Sequence, residues 1–112
     1  MELHEQSLGS LSRRQIARYA GAVRDFNPVH VDERFATASG MPSVIAHGPL
    51  TLGLAIDAIV EQVGRDRLAG FEARLKAPTL PDEELTMVPV DGGIEVRSAS
   101  GAVVATAKVA LR

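Results

Sequence analysis

The sequence predicts an α+β fold, an antiparallel sheet wrapped around one long central helix, in a single domain over residues 1–112. Three observations carry that expectation. Ala46 to Gly64, AHGPLTLGLAIDAIVEQVG, is apolar on nearly every side, and only Asp57 and Glu61, which share a face at i,i+4 spacing, leave a thin polar stripe. After Gly70 the apolar period drops from about 3.6 to about 2, the mark of strands. Those strand-like runs are parted by Asp91-Gly92-Gly93 and Ser100-Gly101, turns short enough to make antiparallel neighbours.

In chain order, Met1 to Gly9 is expected as a short edge strand. Ser12 is a cap candidate for the run RRQIARYAGAV, where Ile16, Ala17, Tyr19, Ala20 and Val23 recur at helical spacing. Asp25-Phe26-Asn27-Pro28 breaks this helix, because the residue before a proline is pushed out of the helical region and Asn and Asp favour turns. Asp32 is placed to cap a short helix through Ala36, and Ser39 to Pro42 is a loop. It feeds the central helix. Pro49 is tolerated in that helix's first turn, and Gly64 marks its stop. At about 1.5 Å per residue, Pro49 to Val63 makes a rod about 22 Å long.

In the second half, Phe71, Ala73 and Leu75 alternate with charged residues, and Pro78 to Asp82 is a rigid turn. Leu85 and Met87 begin the next strand, and Pro89 sets that strand's end at an edge or outside the ladder. Ile94 and Val96 follow, then Val103, Ala105, Ala107, Val109 and Leu111 on one face of the last strand. The tail from Gly70 thus reads as a meander of three to four strands with one apolar face for the helix.

Composition excludes several classes. The chain has no cysteine, hence no disulfide framework and no thiol nucleophile, which suits a reducing cytoplasm. A net charge of −2 gives no basis for gripping a nucleic-acid backbone or an anionic membrane. The N-terminus lacks the apolar segment of an export signal, and no run approaches a membrane span.

Two places can carry chemistry. His30 follows a rigid Asn-Pro turn and lies five residues after Asp25, so a carboxylate and an imidazole can meet for acid–base work near neutral pH. The same residues also describe an ordinary satisfied loop network. His47-Gly48 opens the apolar helix, whose first amides and partial positive charge can receive an oxyanion. A plain helix start, with His47 packed or capping, fits equally well. A metal held by His30, Asp32 and His47 has no signature spacing behind it. No metal site is expected.

Residues 18 to 30, RYAGAVRDFNPVH, followed after 16 residues by His47-Gly48-Pro49-Leu50, resemble the MaoC-like dehydratase or (R)-specific enoyl-CoA hydratase family of the hot-dog superfamily. That family's motif is Asp, any residue, Asn-Pro, any residue, His, with a downstream His-Gly at the central helix. The resemblance implies a hot-dog fold and reversible syn hydration of a trans-2-enoyl thioester to an (R)-3-hydroxyacyl thioester, a reaction of fatty acid metabolism. It implies Asp25 and His30 as the catalytic pair, Asn27 as its orienting residue and the Gly48 amide as oxyanion donor. His47, Pro28, Leu50 and Phe26 would lie against substrate. No metal or redox cofactor is implied, and the substrate would be an acyl-CoA or acyl-carrier-protein thioester. An exposed sheet edge further suggests a homodimer or pairing with a second hot-dog subunit. Arg24 stands where the family often has Gly. Arg74, Lys76, Arg97, Lys108 and Arg112 are candidate phosphate contacts, or simply an exposed face that blocks edge pairing. Two other classes compete: a hot-dog thioesterase working from Asp57, and a non-catalytic subunit of a larger hydratase.

Overall fold

Helix α4, Gly48–Val63, crosses one face of a five-stranded antiparallel sheet in the computed structural model, which describes residues 2–112. Met1, at the head of the predicted edge strand, lies outside the described residues. The strands are β1 (Gln6–Gly9), β2 (Leu68–Leu75), β3 (Leu85–Val90), β4 (Gly93–Ser98) and β5 (Val103–Leu111), in the order β1-β3-β4-β5-β2. This is the expected hot-dog arrangement. Ala55, Ala58 and Ile59 of α4 meet Leu85, Met87, Ile94, Val96 and Ala105 of the sheet in one buried cluster. Small helix residues allow that close approach, and burial of the larger sheet residues supplies about 1.5–3 kcal/mol each.

Only one side of α4 is wrapped by this chain. Leu52, Leu54, Ile56, Val60 and Val63 remain half-buried, while Asp57 and Glu61 are exposed as the stripe predicts. Gly64, at φ 93°, ends the helix in the left-handed region that glycine tolerates, and a 3₁₀ turn over Arg65–Arg67 leads into β2. Among the described residues, no helix is long and apolar enough to cross a membrane.

Three local expectations about the sheet are corrected. β2 does not join the meander next to β3; it pairs with β5 at the far edge. The stretch between β2 and β3 holds Pro78 and Pro81 and is too long and stiff for a hairpin, so it crosses the mouth of α4, where the Thr79 carbonyl accepts from the Ala46 amide at 2.9 Å. Pro89 lies in an interior strand, opposite Ile94, but past the end of β1, whose pairing stops at Gln6 and Met87. Its missing N–H therefore costs no ladder bond. Finally, the inward run of β5 slips at Val104: the register shifts opposite Val96 and Arg97, and Val104 is buried where Val103 is only half-buried. A bulge adds one residue and re-aims the side chains.

The N-terminal elements lie around the start of α4. They are α1 (Arg13–Val23), α2 (Pro28–Val31) and α3 (Glu33–Ala38). Ser12 caps α1 in a reciprocal box with Gln15. Ile16 of α1 is buried with Leu11 and Ala46, against Leu50 and Leu54 of α4.

Candidate active site

The site grows out of the break after α1. Arg24 closes that helix at φ 58°, and the chain then folds through linked side-chain caps. Asp25 Oδ1 accepts the Asn27 amide at 3.3 Å, and Asn27 Oδ1 accepts the Val29 amide at 3.2 Å. With Pro28 in its first turn, Asn27 starts the single-turn helix α2, which carries His30. The sequence pattern predicts only a turn here; the turn is wound into a helix because Asn and Pro meet its needs at successive positions. Asn27 thus fixes the turn that lies between Asp25 and His30. Asp32 caps α3 through the Phe35 amide, as predicted.

Residues 44 to 46 form the opposing wall. The Val44 amide donates to Glu33 Oε1 at 2.9 Å, the Ile45 amide to the Val29 carbonyl at 3.1 Å, and the Ala46 amide to Thr79. The Val44 N–H and then Arg13 hold the Glu33 carboxyl below the usual carboxylate range. The segment is thus clamped on three consecutive residues before it enters α4.

His30 Nδ1 lies 2.7 Å from the Ile45 carbonyl. A carbonyl only accepts, so Nδ1 carries the proton and the neutral ring presents a bare Nε2. That atom sits 4.0 Å from Asp25 Oδ2. One water at about 2.8 Å from each would bridge the gap. The His30 side chain is 11% exposed and that of Asp25 51%, so the carboxylate is the exposed member of the pair.

His30 and Gly48 share a cleft of about 320 Å³. Its walls are mostly apolar, from Ile45, Ala46, Leu75 and Ala77, and Thr51 and Thr79 join hydroxyls across 3.1 Å in its buried lining. Lys76 is part of the same lining. The Gly48 amide is the first of the helix and has no partner within it. Leu75, which is 55% exposed, occupies with its tip the space that a Cβ on residue 48 would need. Gly48, whose φ is not in the left-handed region, thus lets the tip of Leu75 lie against the start of α4.

The remaining candidates fall elsewhere. Phe26 is 61% exposed and Pro28 is exposed, both beside the pair. Leu50 packs towards Leu11 and Ile16, outside the cleft lining. His47, expected against substrate, is only 1% exposed and stacks behind His30, ring centroids 3.7 Å apart, with Tyr19 at its edge. Its Nε2 lies 3.1 Å from the Asp25 carbonyl. Asp25, His30 and His47 offer ligand atoms within 4.8 Å of one another, but that contact makes His47 Nε2 a proton donor and so a poor metal ligand. Asp32, in the paper metal set, is spent on its helix cap. Asp57 is exposed and outside the cleft lining. Of the basic group, only Lys76 reaches the cleft; Lys108 faces Glu72, and Arg97 pairs with Glu95. Thr51, Leu75, Thr79 and the Ile45 carbonyl carry no sequence signal, since the strand crossover and the 44–46 clamp bring them in.

The family model described as "MaoC like domain" matches residues 3–111. The chain is 39% identical over 66 residues to the enoyl-CoA hydratase ChsH3 of Mycobacterium tuberculosis, a match covering 56% of this chain and 23% of that protein. It spans less than a quarter of the length of such curated relatives. Its fold superposes on the (R)-hydratase from A. caviae involved in PHA biosynthesis with a TM-score of 0.81 at 22% identity, covering 96% of this chain and 91% of that one. The ChsH1-ChsH2 complex from Mycobacterium tuberculosis gives a TM-score of 0.75 at 26% identity, over 98% of this chain and 94% of the matched chain.

Proposed function

The chain belongs to the MaoC-like domain family, and on that premise we propose that it hydrates trans-2-enoyl thioesters to (R)-3-hydroxyacyl thioesters, and catalyses the reverse dehydration. One observation carries this: His30 Nδ1 is committed to the Ile45 carbonyl, which leaves Nε2 as a base near Asp25, and His30 lines the same cleft as Gly48, with Asp25 just outside that lining.

Water held between Asp25 and His30 gives a proton to His30 Nε2 as its oxygen bonds to C3 of the enoyl group. The C2=C3 electron pair moves towards the thioester, and the resulting enolate oxygen meets the Gly48 N–H at the positive end of α4. The pair then returns a proton to C2 from the same face. Over one turnover the pair's charge is unchanged, and the elements of water have been added. One oxyanion donor contributes about 3–4 kcal/mol and a positioned acid–base group roughly 10²–10⁴-fold.

The ChsH3 match and the likeness to the ChsH1-ChsH2 complex support thioester hydration in a paired hot-dog assembly. The half-covered face of α4 and the open edge at β2 suit pairing, as a homodimer or with a second hot-dog subunit. The test is to incubate the protein with crotonyl-CoA and follow the enoyl absorbance and free thiol together. Loss of absorbance without thiol is expected. Thiol release would instead establish a thioesterase, and no change in either would leave a non-catalytic subunit.

A further inference from the structure

His47 has no role in the chemistry above, yet it is the most buried imidazole of the molecule and carries an unusual atom. Its Nδ1 is buried without a hydrogen-bond partner among the described residues. Its Nε2 donates to the Asp25 carbonyl at 3.1 Å and lies 4.0 Å from Asp25 Oδ2. Leaving a polar atom unpaired in the interior is costly, and a well-packed phenyl ring would avoid that cost. A histidine here therefore needs a reason other than packing.

We infer that His47 is a positioning residue with two functions, holding the Asp25 backbone through its Nε2–H and offering an aromatic ring face to His30. The inference rests on the hydratase reading for its kinetic part. When His30 takes the proton of water it becomes an imidazolium, 3.7 Å from and 24° off parallel to the His47 ring. A second proton on His47 would place an N–H with no acceptor beside that cation, in a site that is 1% exposed. What His47 presents to that cation is therefore its ring face, and an aromatic face attracts a cation.

Tyr19 from α1, Asp25 after it and His30 from α2 are the titratable groups that face His47. Around His30 itself lie Asp25, His47 and, across the cleft, Lys76. His30 also lines a second hollow with Arg13, Arg14 and Glu33, of which Arg13 and Glu33 neutralise each other in a 3.0 Å ion pair. Lys76, Arg13, Arg14 and Glu33 make no bond to His47, so their charges are common to wild type and variants.

The experiment is an NMR titration of the His30 ring in the substrate-free protein, with the pH profile of kcat/KM for crotonyl-CoA beside it. His47→Asn removes the ring face and is expected to lower the His30 midpoint, and the acid limb of kcat/KM, by about half a pH unit. His47→Phe keeps a face and loses the donor; its midpoint should fall less than the Asn variant's, while kcat drops roughly tenfold as the Asp25 backbone loses its anchor. A midpoint unmoved in the Asn variant, or lowered at least as far in the Phe variant, overturns the inference. Should the Asn variant not fold, His47→Leu, which also lacks the aromatic face, takes its place. The titration needs no turnover, so an inactive wild type would overturn the hydratase reading alone.

Discussion

The sheet with α4 and the stretch from Arg24 to His47 are held together by different forces. The first is cemented by apolar burial: Leu85, Met87, Ile94 and Val96 are fully enclosed, and their strands are in register over most of their length. In the second, α2 has no buried residue and α3 has only Ala36. Directed bonds replace the core there, from Asp25, Asn27, Asp32 and Glu33 side chains to backbone amides and from both histidine rings to carbonyls. A non-directional core makes a scaffold rigid, whereas directed bonds can set single atoms at chosen distances. The chemistry sits where the second kind takes over.

Substitutions should divide along the same line. The largest effect is expected from Asp25→Asn and His30→Ala, each of which should lower kcat for crotonyl-CoA hydration roughly 10²–10⁴-fold while the melting temperature stays near wild type. Unfolding of either would erase the contrast. Next come two glycines. A Cβ on Gly93 would run into the Ala107 backbone carbonyl, so Gly93→Ala should cost about 2–3 kcal/mol in denaturant unfolding. Gly48→Ala meets only the movable tip of Leu75; it should leave stability within about 1 kcal/mol and reduce kcat/KM roughly tenfold or more.

Smaller effects sharpen the comparison. Arg24 holds a left-handed conformation that costs a side-chain-bearing residue about 1 kcal/mol, so Arg24→Gly should raise stability by about that amount. The smallest is electrostatic. The Glu33 carboxyl is depressed by the Val44 N–H and by Arg13, so its contribution is present above the unfolded value of 4.5 and is lost as pH falls through the lower folded value. Wild type should therefore lose more stability than Glu33→Gln between about pH 6 and about pH 3, which paired chemical denaturation would measure.

This division also explains what the sequence makes legible. Repeating apolar patterns report the scaffold, so the run at 50–63 and the alternation from Phe71 onward yield α4 and the strands directly. They do not report which strands are neighbours: β2 reaches β5 because a proline-bearing stretch crosses the molecule. Asp25, His30 and Gly48 are visible because each has a turn or helix signal beside it. The Ile45 carbonyl that sets the His30 tautomer, and the burial of His47, depend on a backbone clamp between residues far apart in the chain. No local pattern encodes that.

The central claim is that the Asp25–His30 pair delivers both parts of water to one face of the substrate. Hydration of crotonyl-CoA in D₂O, with the product analysed by NMR, tests it most directly. The expected product is the (R)-3-hydroxy thioester with a single deuterium at C2 on the face that received the hydroxyl. Deuterium on the opposite face, or an (S) product, would contradict the account.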